Sequence, residues 1–242
     1  MERKMSESTK VLFVVTSNDK LGGTGKPTGF HFEELSTPYY LLQDAGYQVE
    51  IASIQAGKAP IDPGSQKERG QNAASVERFL DDQEAMKKID DTKAIGSVKA
   101  YDYAAIYLPG GHGTMWDLPD NKTLGHLLAE GFEQGRVIAS ICHGAAGLLA
   151  ARLSDGAALV KGREVNCFTD SEERAVELDE VVPFLLESRL REQGANFRGA
   201  DDFKPIVVKD GNLLTGQNPP SAEPLGRQLV DMLNAARNQA AE

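Results

Sequence analysis

The feature of this sequence that most constrains its fold is an alternation of short apolar runs with longer amphipathic stretches. The run VLFVVTSN at 11–18 is continuous and rich in β-branched residues, which is typical of a strand covered on both faces. A helical pattern follows at 30–46, and a second strand, YQVEIAS, at 47–53. Two further strands, YAAIYLP at 103–109 and RVIASIC at 136–142, continue the alternation. The pattern predicts an α/β fold with a mostly parallel sheet and helices on both faces.

One helix leaves two possibilities open. Pro38 lies within the pattern at 30–46, where Leu35, Tyr39 and Leu42 share a face. Either the proline kinks this helix, or Thr37 caps a helix that begins at Pro38.

The stretch from Gln55 to Lys99 interrupts the alternation. It is polar, opens with AGKAPIDPGS and contains one predicted helix, SVERFLDDQEAMKKI, at 75–89. We predict a small cap insertion at about 55–99. With 242 residues and no visible linker or repeat, residues 1–242 are expected to form a single domain.

The C-terminal third predicts further elements. KGREVNCFTDSEER, at 161–174, is interpreted as a strand and turn, and 177–194 as a helix. A hairpin is predicted around Asp210-Gly211. The last helix follows Ser221 and carries one apolar stripe, formed by Leu225, Leu229, Met232, Leu233 and Ala236.

Charge and composition limit the classes of binding partner that this chain is expected to have. The chain carries 26 Lys and Arg against 36 Asp and Glu, a net charge of −10, which disfavours nucleic acid and anionic membrane surfaces. No apolar run is long enough to cross a bilayer. The charged opening MERKMSESTK shows no secretory signal, and two cysteines do not form a disulfide framework. We therefore expect a cytoplasmic protein with neither membrane nor nucleic acid as a partner.

Cys142 stands at the junction of a predicted strand and the helical pattern HGAAGLLAARL. The segment Ser140-Ile141-Cys142-His143-Gly144 resembles a nucleophile elbow with serine in place of the first glycine. A tight turn there exposes the thiol at the carboxyl edge of the sheet, and the helix start favours the thiolate. The alternative is an inert thiol that fills space.

Histidine positions restrict the chemistry further. The four histidines are His31, His112, His126 and His143, so none follows residue 143. An α/β-hydrolase and a class I glutamine amidotransferase both need a histidine after the nucleophile, and both are excluded. His143 remains as the partner of Cys142, and it needs a carboxylate to orient it.

The acids of FTDSEE, at 168–173, are the candidates for that carboxylate. Asp170, Glu172 and Glu173 are all present. An equally good interpretation makes them a solvated helix N-terminus, with Asp170 or Ser171 as the cap.

Five ordered motifs together resemble one family. TGFHFEEL, IASIQAGKAPIDPGS, PGGHGTMWDLPDN, SICHGAAGLL and CFTDSEE are similar to the DJ-one/ThiJ/PfpI superfamily, and within it to the heat-shock, glyoxalase III-like class with a cap insertion. The similarity runs from Val11 to the last helix. It implies a flavodoxin-like sandwich and a homodimer.

The resemblance also implies roles for individual residues. The family nucleophile falls on Cys142, its histidine on His143, and the acid that orients the histidine on Glu173. The acid that bonds the thiol falls on Glu34 rather than Glu33, and a carboxyl beside a thiolate is expected to have a raised pKa. Backbone N–H groups of Gly111 and His143 would form an oxyanion site.

The activity that the resemblance implies is a glutathione-independent glyoxalase, a lyase of the glyoxalase III or D-lactate dehydratase type. A small 2-oxoaldehyde such as methylglyoxal would become a 2-hydroxy acid through a hemithioacetal on Cys142. Two alternatives use the same residues: a stress-response holding chaperone with the cysteine as redox sensor, and a small-substrate amidase or peptidase.

The other candidate residues have structural interpretations that are at least as good as functional ones. His112 is expected either to line the pocket or to bond the backbone of its turn, Trp116 to pack under that loop, and Cys167 to lie in the core. No cofactor is expected, and no metal site is predicted from the spacing of His31 and His126. The loop LGGTGKPTG lacks the phosphate-loop pattern, because Lys20 stands where the first glycine is required and Pro27 follows Lys26.

Overall fold

A computed structural model describes residues 8–241 of the chain. The prediction that no secretory signal is present depends on the N-terminal stretch MERKMSESTK. Residues 1–7 of that stretch lie outside the described residues. The strands of the described part are β1 (Lys10–Val15), β2 (Gln48–Ser53), β3 (Lys93–Ala94), β4 (Ala105–Leu108), β5 (Val137–Ile141), β6 (Glu164–Val165), β7 (Asn196–Phe197), β8 (Val207–Asp210) and β9 (Leu213–Gly216).

Seven of these strands form one sheet, in the order β3-β2-β1-β4-β5-β9-β8. All pairs are parallel except β8 with β9, which form the hairpin predicted around Asp210-Gly211. Strands β6 and β7 pair separately in a two-stranded sheet. The sheet confirms the predicted α/β class and its mostly parallel pairing.

The helices are α1 (Phe32–Asp44), α2 (Ala74–Asp81), α3 (Gln83–Asp90), α4 (Thr114–Asp117), α5 (Lys122–Glu133), α6 (Asp170–Ala175), α7 (Leu186–Glu192) and α8 (Ala222–Ala241), with a 3₁₀-helix at Cys142–Ala150. They cover both faces of the sheet. Successive strand residues point to opposite faces, so Phe13 lies in one apolar cluster with residues of α1 and α8, and Leu12 lies in a second cluster with residues of α5 and α7. Both side chains are fully buried, as the continuous apolar run predicts. Within residues 8–241, no helix combines the length and apolarity that crossing a bilayer requires.

Helix α1 answers the question left open at Pro38, because the helix begins at Phe32 and runs through the proline. Proline has no N–H to donate to the carbonyl four residues earlier, which belongs to Glu34. The hydroxyl of Tyr107 donates to that carbonyl at 2.7 Å instead. The substitute bond ties the first turn of α1 to strand β4.

The segment predicted as a cap insertion contains two helices where the sequence pattern predicted one. Asp82 separates α2 from α3, because its side chain accepts from the N–H groups of Glu84 and Ala85 and so caps α3. The segment also meets the loop before α1, where Phe30 N–H donates to Pro60 at 2.9 Å. The single-domain interpretation and the boundaries at 55 and 99 stay predictions.

Two further expectations were wrong in part. The helix predicted over 177–194 forms only at Leu186–Glu192, since Pro183 disfavours helix in the residues before it. The segment after Cys142 is a 3₁₀-helix rather than an α-helix. Its Gly144 packs so closely on strand β4 that an added Cβ would lie 2.2 Å from the carbonyl oxygen of Leu108.

Candidate active site

Cys142 follows the last residue of β5 in a strained turn. Its φ of 55° is in the left-handed region, which residues other than glycine seldom adopt. Gly110, at the end of the neighbouring β4, leaves room for this turn, since a Cβ there would lie 2.8 Å from the Ile141 carbonyl oxygen and 2.9 Å from Cys142 Cβ. The structure thus places Cys142 at the carboxyl edge of the sheet, where the sequence predicted it.

A chain of hydrogen bonds leads away from the Cys142 sulfur. Sγ lies 3.2 Å from Nδ1 of His143, and Nε2 of His143 lies 2.6 Å from Oε2 of Glu173. Both His143 and Glu173 are buried. The thiol and imidazole of two adjacent residues are therefore aligned with a carboxylate that comes 30 positions after His143 in the chain.

The local structure of α6 explains why Glu173, and not the other acids of this segment, meets His143. Thr169 caps the helix, and together with Glu172 it forms a capping box. The expectation that Asp170 or Ser171 caps this helix is therefore wrong. Glu172 also accepts from Asn218 at 2.8 Å, and Asp170 accepts from Ser188, so both are occupied by structural bonds.

The environment sets the protonation of this pair. Burial raises the pKa of Glu173, but the charge of His143 and hydrogen bonds from His112 and His143 outweigh it and hold that pKa well below its usual value. Burial, followed by the charge of His112, lowers the pKa of His143. A neutral imidazole facing an ionised carboxylate must carry its proton on Nε2. Nδ1 of His143 is then a bare acceptor directed at the thiol.

Glu34 reaches the same thiol from the first turn of α1. Its side chain is fully buried, and Oε2 accepts from the N–H of Gly110 at 2.8 Å. Oε1 has no hydrogen-bond partner among the described residues. Burial raises the pKa of Glu34 to about 8, against the effects of Cys142 and the Gly110 N–H, so the carboxyl is mostly protonated at neutral pH. The preceding residue, Glu33, is only half-buried.

The pKa of the Cys142 thiol differs from the low value that the turn alone predicts. Burial and the charge of Glu34 raise the pKa of Cys142 well above its usual value, while the backbone N–H of His143 acts in the opposite direction. The expectation that the helix start leaves a ready thiolate is therefore wrong, because desolvation outweighs the nearby N–H group. Nδ1 of His143, 3.2 Å from the sulfur, lies in position to accept the thiol proton.

A pocket of about 420 Å³ opens over Cys142. Its lining includes the apolar side chains of Phe168, Val176, Leu178 and Phe203 and the polar side chains of Lys26, His31, Asp62 and Ser65. Gly111 and His143, the residues predicted for the oxyanion site, both line it. The N–H of Gly111 has no hydrogen-bond acceptor among the described residues, so it is free for a ligand.

His112 lines this pocket, which was one of the two alternatives left open for it, but the sequence interpretation missed its bond to Glu173. Its Nε2 lies 2.8 Å from Oε1 of Glu173, and its ring centroid is 4.0 Å from that of His143. The signal was the position of GGHG directly after β4, at the same edge of the sheet as Cys142. Trp116, by contrast, packs beside Gly22 and lies outside this pocket, and His126 is exposed on α5.

The donor atoms of His112, His143 and Glu173 lie within 4.8 Å of one another, close enough in principle to hold a cation. Each is already engaged, because the two imidazoles donate to separate oxygens of one carboxylate. These contacts account for the cluster as a hydrogen-bonded unit, and we assign no metal ligand in it.

Comparison with known proteins places the chain among related sequences. The model of the DJ-1/PfpI family matches residues 27–232. A glutathione-independent glyoxalase of Saccharomyces cerevisiae is 30% identical over 93% of this chain and 98% of the relative.

Two solved structures are similar throughout. The Rapid Encystment Protein 24 kDa of Francisella tularensis has a TM-score of 0.89 and 35% identity, covering 93% of this chain and 98% of that one. Glyoxalase III of Candida albicans has a TM-score of 0.84 and 25% identity, covering 92% of this chain and 96% of that one. Similarity of this extent confirms the predicted fold.

Proposed function

The chain belongs to the DJ-1/PfpI family, and from this we propose that it is a glutathione-independent glyoxalase acting on small 2-oxoaldehydes such as methylglyoxal. The observation that carries the proposal is the hydrogen-bonded chain Cys142–His143–Glu173 facing the buried carboxyl of Glu34. It supplies a nucleophile, an oriented base and a separate acid at a single pocket.

In the first step Sγ of Cys142 adds to the aldehyde carbon, C1. The thiol proton passes to Nδ1 of His143, and Glu34 gives its proton to the former carbonyl oxygen, which leaves a hemithioacetal, an imidazolium and a carboxylate. Glu173 stabilises the imidazolium through the Nε2 bond of 2.6 Å. The N–H groups of Gly111 and His143 are our candidates for holding the oxygen while it is negative.

In the second step the substrate rearranges without net oxidation. The carboxylate of Glu34 removes the proton from C1, and the imidazolium of His143 protonates the ketone oxygen, giving an enediol. Glu34 returns the proton to C2, and the C1 hydroxyl gives its proton back to Glu34. The product is a thioester of a 2-hydroxy acid on Cys142.

In the third step water hydrolyses that thioester. The C–S bond breaks, the free acid leaves and the thiol of Cys142 is regenerated. The overall reaction adds one water to the 2-oxoaldehyde and requires no glutathione, in keeping with the lyase class we propose.

The alternative functions have less support. A holding chaperone is favoured by a broad exposed apolar patch, and the exposed large hydrophobic side chains within residues 8–241 are Tyr101, Val176 and Phe203. Val176 and Phe203 line the pocket over Cys142, which associates them with a small ligand. The redox-sensor and amidase interpretations use the same cysteine and stay as alternatives, and the homodimer stays a prediction.

The test is methylglyoxal consumption with D-lactate detection in glutathione-free buffer, for wild type, Cys142→Ala and Cys167→Ala. Cys167 is buried in the core and makes a matched control. We expect turnover in wild type and Cys167→Ala and none in Cys142→Ala. A folded wild type without turnover would overturn the glyoxalase function.

A further inference from the structure

The carboxylate of Glu173 holds two imidazoles, and only one of them faces the thiol. Nε2 of His143 bonds Oε2 at 2.6 Å, and Nε2 of His112 bonds Oε1 at 2.8 Å. An ionised carboxylate only accepts hydrogen bonds, so each Nε2 carries a proton. In its neutral form each imidazole has one N–H, and the Nδ1 atoms of both rings are therefore bare acceptors.

The two Nδ1 atoms have different surroundings. That of His143 lies 3.2 Å from Sγ of Cys142 within a fully buried side chain, which leaves no space for water between them. Nδ1 of His112 makes no hydrogen bond among the described residues. It is also absent from the buried polar atoms that lack a partner, so this nitrogen is accessible to solvent. The side chain of His112 is 18% exposed and lines the pocket over Cys142. A water molecule entering this pocket meets a bare imidazole nitrogen.

We propose that His112 is the general base for hydrolysis of the acyl group on Cys142, in a division of labour in which His143 serves the thiol. Water gives a proton to Nδ1 of His112 as its oxygen bonds the thioester carbon. The C–S bond then breaks, and the departing sulfur of Cys142 takes the proton that His112 received from water. For the lactoyl thioester this step rests on the proposed glyoxalase function.

The other polar groups of the pocket are poorer candidates for this base. Nδ1 of His31 is buried away from solvent, and burial lowers the pKa of His31 to about 4, which makes it a weak base. Asp62 accepts from Thr28 at 2.7 Å and from the N–H of Gly64 at 2.8 Å, so both of its oxygens are occupied. Glu34 faces Cys142 and is mostly protonated.

The experiment measures acyl-enzyme lifetime in His112→Gln. Glutamine keeps an N–H donor for Glu173 but removes the base, and His126→Gln, at an exposed position on α5, is the matched control. Each protein is acylated with methylglyoxal and, separately, with p-nitrophenyl acetate, which transfers acetyl to a thiol and releases nitrophenol. Intact mass and digestion locate the acyl group, and its decay gives the hydrolysis rate.

We expect His112→Gln to be acylated on Cys142 about as fast as wild type and to lose the acyl group roughly 100-fold more slowly, the usual contribution of a general base. Methylglyoxal consumption should show a burst of one equivalent followed by slow turnover, lactate release should be slow from the start, and added imidazole should restore the rate. Equal acyl lifetimes in His112→Gln and wild type would overturn the proposal. So would a folded His112→Gln whose acylation is lost, because His112 would then only position Glu173.

The acetyl experiment separates this proposal from the proposed function. If methylglyoxal leaves wild type unmodified while acetyl-enzyme decays 100-fold more slowly in His112→Gln, the glyoxalase function fails and the base assignment holds. If wild type makes lactate but acetyl-enzyme and lactoyl-enzyme decay at unchanged rates in His112→Gln, the base assignment fails and the glyoxalase function holds.

Discussion

Nε2 of His143 lies 2.6 Å from Oε2 of Glu173, with both side chains buried. A bond of this length between an imidazole and an ionised carboxylate determines which ring nitrogen keeps the proton. It therefore makes the function of Cys142 depend on a residue that does not contact the sulfur.

The first prediction concerns Glu173→Gln. The amide can donate as well as accept, so it no longer requires a proton on Nε2 of His143, and Nδ1 is no longer held as an acceptor for the thiol. We expect kcat for 2-oxoaldehyde turnover to fall by up to roughly 10⁴-fold, the loss seen when a carboxylate that orients a catalytic histidine becomes an amide.

The measurement is kcat and KM together with a thermal unfolding curve. Glu177→Gln, an exposed position just after α6, is the control and should match wild type. A fully active Glu173→Gln would contradict the role of the carboxylate.

The second prediction concerns the pH dependence of stability. The pKa of Glu34 is raised to about 8 in the folded protein, above its ordinary value of 4.5, so the folded state binds a proton that the unfolded state releases. Stability contributed by the protonated carboxyl is thus complete below pH 4.5 and declines as the pH rises toward 8, by at most about 1.4 kcal/mol per pH unit.

Urea unfolding of wild type and Glu34→Gln at a series of pH values measures this decline. The difference between the two free energies of unfolding should change steadily between pH 5 and 8, with Glu34→Gln becoming relatively more stable. Glu33→Gln, at a half-buried carboxyl in the same helical turn, should show a smaller change. Parallel curves for wild type and Glu34→Gln would show that Glu34 ionises normally.

The third prediction concerns the two thiols. Cys142 lines the pocket, whereas Cys167 is packed in the core and donates to the carbonyl of Phe168 at 3.0 Å. Iodoacetamide should therefore label Cys142 in the folded protein and leave Cys167 unmodified.

The labelling rate should also report the pKa of Cys142. Because the charge of Glu34 raises this pKa, Glu34→Gln should move the rise in labelling rate to lower pH. Peptide mass spectrometry across a pH series gives both results. Labelling of Cys167 before Cys142, or a rise moved to higher pH, would be inconsistent with the structure.

The fourth prediction concerns Gly110. A Cβ at this position would lie 2.6 Å from Oε2 of Glu34 and 2.9 Å from Cβ of Cys142. Gly110→Ala should force the acid and the thiol apart and destabilise the protein by about 1–3 kcal/mol, the usual cost of overpacking.

Chemical unfolding and turnover test this substitution. Gly23→Ala adds a Cβ with no atom within 4 Å and serves as the control. Wild-type activity in Gly110→Ala would mean that the spacing between Glu34 and Cys142 is not critical.

Much of the fold was predictable because local patterns report burial directly. The continuous apolar run at β1 indicates a strand covered on both faces, and the small residues around Cys142 indicate a tight turn after β5. The elements in error were those decided by competition between local and tertiary forces. Asp82 breaks one predicted helix. The same competition settled the alternative left open at Pro38, because α1 runs through the proline and Tyr107 donates to the carbonyl that the proline leaves without a donor.

The sequence by itself determined the alternation of strands and helices, the place of Cys142 at a strand end and the exclusion of any histidine after residue 143. The residue pattern left Asp170, Glu172 and Glu173 open as partners of His143, the family resemblance pointed to Glu173, and the tertiary structure brings Glu173 to His143. Only the tertiary structure decided that His112 shares the same carboxylate and that burial raises the pKa of the Cys142 thiol. Periodicity reports how a residue packs within its own element. Distances between side chains on different elements, and the burial that sets their proton affinities, exist only once the sheet brings its carboxyl ends together.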